Sequence, residues 1–229
     1  MKNAILVFAV LSISIFACKK NHNTVTAPPP TTTPTGKIDD DYGCISRLVT
    51  TPKDIIVKPD DYIYAQQLLQ SGNIDQSNFK ILSVRYDTFK NYNNQIKHEV
   101  IIFEQQFINN LPLLNIEGEY VFMDGLFDWT GGKFATSCSL DTIPALRLTQ
   151  VRKLYVTALA ASNSPAYLKT YKDSCLVAEF GYYDINSGTV NHTINFVKAW
   201  HVYPINSGLP TAYFNDNGTL LWFANGIVN

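Results

Sequence analysis

The chain has almost no net charge: 18 lysines and arginines stand against 19 aspartates and glutamates, a formal charge of −1 over 229 residues. A nucleic-acid binder needs a basic patch to displace counterions from phosphates, so no nucleic-acid partner is expected. Histidine is scarce, with four in all, and none has a Cys, His or carboxylate partner at metal-ligand spacing. His98-Glu99 opens like a zinc-peptidase helix, but that motif needs a second histidine four residues on, where Ile102 stands. The β-branched run around it argues for a strand, in which no helix presents the glutamate as a base. His22, His192 and His201 are read as solvated or internally satisfied. No Gly-x-Ser-x-Gly elbow, phosphate loop or dinucleotide fingerprint occurs. The Asp39-Asp40-Asp41 run sits at a linker boundary and is read as solvated rather than as a calcium site. No metal, cofactor or catalytic residue is therefore expected.

Long apolar runs are also missing, with one exception at the start. After Met1-Lys2-Asn3, residues 4–17 (AILVFAVLSISIFA) are apolar for about 14 residues, short of the roughly 20 that a spanning helix needs. A charged start, a short apolar run and a small residue at its end describe a removed signal peptide, residues 1–17. Residues 18–36 hold two lysines and then NHNTVTAPPPTTTPTG, a Pro/Thr-rich stretch with no apolar period. Such a segment has nothing with which to build a core and serves as an extended spacer.

Cysteine is sparing as well. Of four, Cys18 directly follows the signal peptide, leaving Cys44, Cys138 and Cys175 for the globular part. An oxidising compartment permits one disulfide and leaves one thiol over. Cys138 and Cys175 bracket the long helical stretch and both follow a serine, which favours that pair slightly; the other two pairings stay open. A Cys175 nucleophile with His201 as base is formally possible, but a structural cysteine is the preferred reading.

What is present is a rich supply of aromatic and β-branched residues. Asp60 is placed to cap a helix over residues 61–71, with Gly72 as its left-handed stop. Residues 79–87 and 98–109 read as strands separated by Asn91 to Asn94, and 111–114 and 119–123 continue the pattern. Residues 124–133 (DGLFDWTGGK) are expected to form a connection before a short strand at 133–136. A second helix is expected from Thr142 to about Ala161, with Leu148, Val151, Leu154, Tyr155, Ala158 and Leu159 on one stripe. Strands at 176–184, 193–203, 211–214 and 220–223 follow, parted by Asn/Ser/Gly turns. The aromatics Phe196, Trp200 and Trp222 alternate like core positions. Phe127 and Trp129 differ, since they lie in a turn-rich connection; there they either fold back over the sheet or stand out as anchors for a partner. The fold class expected is α+β, with two helix-on-antiparallel-sheet modules at 37–137 and 138–229.

Four stretches carry family resemblances. Ile15-Phe16-Ala17-Cys18 resembles the lipobox of bacterial lipoproteins, although Phe16 is bulkier than usual. This implies acylation of Cys18, a membrane partner through the lipid anchor, and a place in the bacterial cell envelope, on the outer membrane with the domain in the periplasm or at the surface. Lys19-Lys20 lacks the acidic cluster of surface-exported lipoproteins, which leans toward the periplasm.

Residues 98–114 (HEVIIFEQQFINNLPLL) resemble the FTP strand and hairpin in the propeptides of fungalysin/thermolysin-type metallopeptidases. Residues 198–204 (KAWHVYP) and 209–220 (LPTAYFNDNGTL) resemble the strand and closing hairpin of the PepSY domain that follows it. The resemblance implies a PepSY/cystatin-like fold and, with no peptidase motif in these residues, a non-catalytic propeptide-like inhibitor, chaperone or ligand-binding module. Its partner would be a metallopeptidase or another envelope protein. Rival readings are a lipid-tethered scaffold subunit and a small hydrolase with a cryptic site.

Overall fold

A computed structural model describes residues 44–132, 134–162, 169–187, 189 and 193–225. The expected signal peptide, Cys18, the tether, His22, Asp39 to Asp41 and His192 lie outside the described residues.

The elements are β1 (Ile45–Leu48), α1 (Pro59–Ser71), β2 (Phe79–Lys90), β3 (Ile96–Ile108), β4 (Leu111–Met123), β5 (Leu126–Gly132), α2 (Leu148–Ala161), β6 (Leu176–Asp184), β7 (Phe196–Pro204), β8 (Thr211–Asn215) and β9 (Leu220–Ala224). Expected strands recur with small changes of bounds, and 111–114 and 119–123 fuse into the single strand β4. The connection expected at 124–133 is instead a hairpin. Asp124 and Gly125 both take positive φ, 51° and 81°, the two-residue geometry whose twist matches paired strands, and β5 runs back along β4. Asn109 and Asn110, at φ 53° and 62°, turn β3 into β4 in the same way.

No strand forms at 134–136. Side-chain amides hold that segment instead: Ala135 N donates to Gln106 Oε1 at 2.9 Å, Gln106 Nε2 donates to Ala135 O, and Asn109 Nδ2 donates to Cys138 O at 3.0 Å. Backbone groups satisfied in this way need no strand partner.

Both helices also correct the expectation at their ends. The N-cap of α1 is Lys58, with no side-chain cap; Pro59 opens the helix, and Asp60 and Asp61 lie in its first turn, where carboxylates favour the positive end of the dipole. Gly72 is right-handed (φ −79°) and Asn73 takes the left-handed position (φ 55°). Helix α2 starts at Leu148 rather than near Thr142, and Gln150 Oε1 accepts from Arg147 N at 2.8 Å to cap it. Of the expected stripe, Val151, Tyr155, Ala158 and Leu159 are buried and Leu148 and Leu154 pack at its margin.

The fold class itself is overturned. The nine strands form one curled, mixed sheet in the order β2-β3-β4-β6-β7-β8-β9, with β1 on β6 and β5 on β4, so the chain is mostly β and not two helix-on-antiparallel-sheet modules. Two pairings are parallel, and both cross the expected module boundary. β1 lies along the first half of β6, and β4 meets β6 at Leu113 and Tyr182.

That seam is narrow and is extended by a side chain: Asn115 Oδ1 accepts from Asp184 N and Asn115 Nδ2 donates to Asp184 O, both at 2.9 Å, which imitates a further rung of backbone pairing. Gly181 permits the approach, because a Cβ there would stand 2.3 Å from Pro112 O. Three apolar clusters fill the fold. One lies between α2 and β6 to β8 and includes Tyr155, Phe180 and Trp200; one lies between α1 and β2 to β4; the third lies at the seam, around Leu113, Ile116, Cys138, Tyr182 and Phe196.

The disulfide differs from the favoured one. Cys44 is joined to Cys175 with Cα atoms 4.5 Å apart, which pins the start of β1 beside the start of β6. Cys138 takes no part in that bond and is buried in the seam cluster. The serine-flanked spacing that favoured Cys138 carried no geometric information, whereas the parallel β1/β6 pairing sets Cys44 next to Cys175 directly.

Candidate functional site: an open strand edge and a polar-aromatic face

β5 pairs with β4 along one edge, and among the described residues no strand pairs with its other edge. Its backbone N–H and C=O groups on that side are available to a further strand. The side chains beside that edge are large and apolar: Leu126 is 75 % exposed, Phe127 43 % and Trp129 47 %. Phe127 meets Phe122 edge-on at 5.7 Å between ring centres, and the Trp129 ring covers Gly131, where a Cβ would stand 2.6 Å from it. These two residues are therefore partly folded back and partly presented. The other strands with a single partner differ. β2 carries Arg85, Asp87 and Lys90, charges that discourage strand addition, and β9 and β1 are only five and four residues long.

A second surface lies on the side of β6 to β9 away from α2. Glu179 and His201 are cross-strand neighbours, as are His201 and Tyr213, and Tyr213 and Trp222. The His201 and Tyr213 rings stack at 4.3 Å with planes 2° apart, and Tyr203, Tyr183 and Trp222 extend the row. His201 Nε2 lies 2.8 Å from Thr211 Oγ1, and burial pushes the imidazole down to about 4, so it is neutral at ordinary pH. Burial pushes the Glu179 carboxyl up, opposed by the hydrogen bond that Thr50 Oγ1 donates to it and by Lys80. Burial likewise pushes Lys80 down. Phe196 and Trp200 are buried as expected, but Trp222 is 47 % exposed and closes the aromatic row at its outer edge.

The structure does not bring the sequence-derived catalytic candidates together. Cys175 is consumed by the disulfide, which removes it as a nucleophile for His201. His98 sits exposed on β3, with its backbone N–H donating to Asp124 at 3.0 Å. Among the described residues no group of three His, Cys, Asp or Glu side chains could hold a metal ion.

Sequence reading missed Asp216, placed only in a turn. Its buried carboxylate accepts from Ala145 N (2.7 Å), Leu146 N (3.1 Å) and Trp200 Nε1 (3.0 Å), with Lys198 Nζ at 3.4 Å. It also missed Glu104, a fully buried carboxyl on β3. An acidic residue inside a run as apolar as VIIFEQQFI was the available signal.

No protein-family model matches this chain, and no curated protein matches it.

Proposed function

We propose that the protein is a non-catalytic, lipid-tethered module of the bacterial cell envelope that binds a protein partner by strand addition at β5, with Phe127 and Trp129 as its apolar anchors. The observation that supports this reading most is the combination at β5 of an unpaired backbone edge with three exposed apolar side chains, Leu126, Phe127 and Trp129. Backbone bonds along such an edge give affinity and alternate side chains give selectivity. The partner class proposed is a thermolysin-type metallopeptidase of the same envelope, on the strength of the resemblance at residues 98–114 and 198–220.

The test is a titration of the full-length protein in detergent against the organism's secreted metallopeptidases, repeated with Phe127→Ala/Trp129→Ala. Binding and slowed proteolysis by the wild type, weakened at least tenfold in the double variant, is the expected result. Because both rings are close to half exposed, the variant should lose only about 1–2 kcal/mol of folding stability, well below the 3–5 kcal/mol of a buried aromatic. No binding to any peptidase, with cross-linking from β5 to a different envelope protein, would replace the peptidase as partner; unchanged binding by the double variant would remove β5 from the site.

A further inference from the structure

Strands β2 and β3 run on beyond the rest of the sheet. β4 stops at Met123, opposite Glu99, while the β2/β3 pairing continues through Thr88 and His98 and Phe89 and Lys97 to Lys90 and Ile96. Helix α1 reaches this ribbon as far as Tyr86, through Asp61 and Tyr64. Past Tyr86, residues 87–90 of β2 are exposed on both faces in turn.

The turn that closes the ribbon is held by its own groups. Asn91 N donates to Gln95 O at 3.0 Å and Asn94 N to Asn91 O at 2.9 Å, while Asn91 Oδ1 accepts from Asn93 N and Gln95 N, both at 3.0 Å. Asn94 takes φ 59°, an αL position that asparagine tolerates. What this turn presents is apolar. Tyr92 stands fully exposed at the apex, Ile96 is 58 % exposed and Phe89 42 %. Phe89 is opposite Lys97 and Ile96 is opposite Lys90, so Phe89 and Ile96 leave the ribbon on opposite faces. Residues 88–98 hold Lys90, Lys97 and His98 and no carboxylate. Lys97 pairs with Asp124 at 2.7 Å, and Lys90 has no acidic partner among the described residues.

We propose that this tip is a membrane-contact element, in which Phe89, Tyr92 and Ile96 enter the interfacial region of a phospholipid bilayer and Lys90 meets anionic headgroups. Three observations favour a bilayer over a protein surface. Apolar side chains on both faces of a narrow ribbon suit a medium that surrounds it, whereas a protein partner covers one face. The turn's N–H groups at Asn91, Asn93, Asn94 and Gln95 are already bonded, which a segment entering lipid requires. A tyrosine between lysines, with no acid beside it, matches the aromatic and cationic preferences of the headgroup region. The lipid tether proposed above serves only to bring the bilayer within reach, since the roughly 26 residues from Cys18 to Cys44 span at most about 90 Å. None of the β5 side chains takes part.

The test uses the full-length protein reconstituted in vesicles of phosphatidylethanolamine and phosphatidylglycerol, with a nitrobenzoxadiazole label on Asn93→Cys. With Cys18 acylated, Cys138 buried and Cys44 joined to Cys175, the new thiol is the one that reacts. A matched label on Asn206→Cys, in the β7–β8 turn at the other end of the parallel β4/β6 pair, reports a surface held in water. Acrylamide quenching should be weaker by about threefold or more at position 93 than at 206, and Phe89→Ser/Tyr92→Ser/Ile96→Ser should abolish the difference. Tyr92→Ser alone, at a fully exposed side chain, should remove part of the protection without touching the fold. Equal quenching at the two positions, in protein that sediments with the vesicles, overturns the proposal and leaves the tether standing. Protection that survives the triple substitution overturns it too, as does protection that appears only when envelope proteins are added, which identifies a protein partner. Protein that does not sediment with the vesicles overturns tip and tether together.

Discussion

Asp216→Ala should be among the most damaging single substitutions in this chain, because one carboxylate ties the segment before α2 to β7 and to the β8–β9 turn. Its Oδ1 accepts from Leu146 N and Trp200 Nε1 and its Oδ2 from Ala145 N, with the side chain 4 % exposed and Lys198 Nζ 3.4 Å away. Those donors lie on the segment before α2 and on β7, while Asp216 lies in the β8–β9 turn. Hydrogen bonds to a charged group contribute about 1.5–3 kcal/mol each, but they are not additive, and breaking a buried charged pair costs about 3–5 kcal/mol in total. A loss of about 4 kcal/mol lowers Tm by roughly 8–16 °C in a domain of this size.

Asp216→Asn separates the two oxygens. With Oδ1 retained, Leu146 and Trp200 keep their acceptor, whereas Ala145 N faces an amide donor, and a loss of about 2 kcal/mol is expected. Thermal and urea unfolding give the totals, and hydrogen exchange gives the pattern: in the Asn variant the Ala145 amide should lose protection while Leu146 keeps most of it. If Asp216→Ala melts within 2 °C of the wild type, or if both amides exchange unchanged, Asp216 is not the clamp described.

Peptide mapping without reductant should recover Cys44 linked to Cys175, with Cys138 reacting with thiol reagents only on unfolding; Cys44→Ser should cost about 5 kcal/mol, since the bridge closes a loop with 131 residues of separation, and a Cys138-containing bridge would refute the assignment. His201 is depressed to about 4 from 6.5 by burial, so its share of stability is present above 6.5 and lost as pH falls through 4; His201→Gln should flatten that acid limb in urea midpoints, and an unchanged slope would rule His201 out as its cause. Glu104, pushed up to about 7 by burial, acts in the opposite sense over nearly the same range, so the wild-type profile shows only the difference and the His201 limb is read from its variant. For the proposed lipid anchor, Cys18→Ala should accumulate as unprocessed precursor or leave the membrane fraction, because an acyl chain contributes about 0.8 kcal/mol per buried methylene; a mature, membrane-bound Ala variant would end the lipoprotein reading.

Seven of the nine strands were legible because β-branched and aromatic residues dominate them, β1 and β5 being missed, and the α2 stripe was legible because Val151, Tyr155, Ala158 and Leu159 repeat at helical spacing. Turn chemistry was legible only in part. Asp124-Gly125 is the strongest two-residue hairpin signal in the chain, yet the turn residues on both sides of Phe127 and Trp129 made 124–133 read as one glycine-containing connection, and β5 was missed. Asn109 was absorbed into the strand before it although Asn109-Asn110 makes the turn. The segment at 134–136 has strand-like composition, but Gln106 supplies its hydrogen bonds from a side chain, and no local pattern shows which amide will do so. In the same way, the buried carboxyl of Glu104 was visible as a charge in an apolar run, while Gln76 beside it was not.

The fold class failed for a different reason, one that no window of sequence contains. A helix followed by antiparallel strands, written twice, is what two separate modules would also show. The difference is made at β4 and β6. β4 gives one whole edge to β3 and divides the other between β5 and β6; β6 gives one whole edge to β7 and divides the other between β1 and β4. Each divided edge brings in a strand from the other expected half, and residues more than a hundred positions apart decide the outcome at β1. What holds the seam is small in sequence terms: a glycine that lets Pro112 O approach, an asparagine that copies a backbone rung, and Tyr182, whose hydroxyl donates to Leu140 O at 3.0 Å beside the buried Cys138. Because β5 hangs on the same β4 that makes this seam, a partner strand added at β5 extends a sheet continuous through both halves. Binding there engages the whole fold rather than one tethered module.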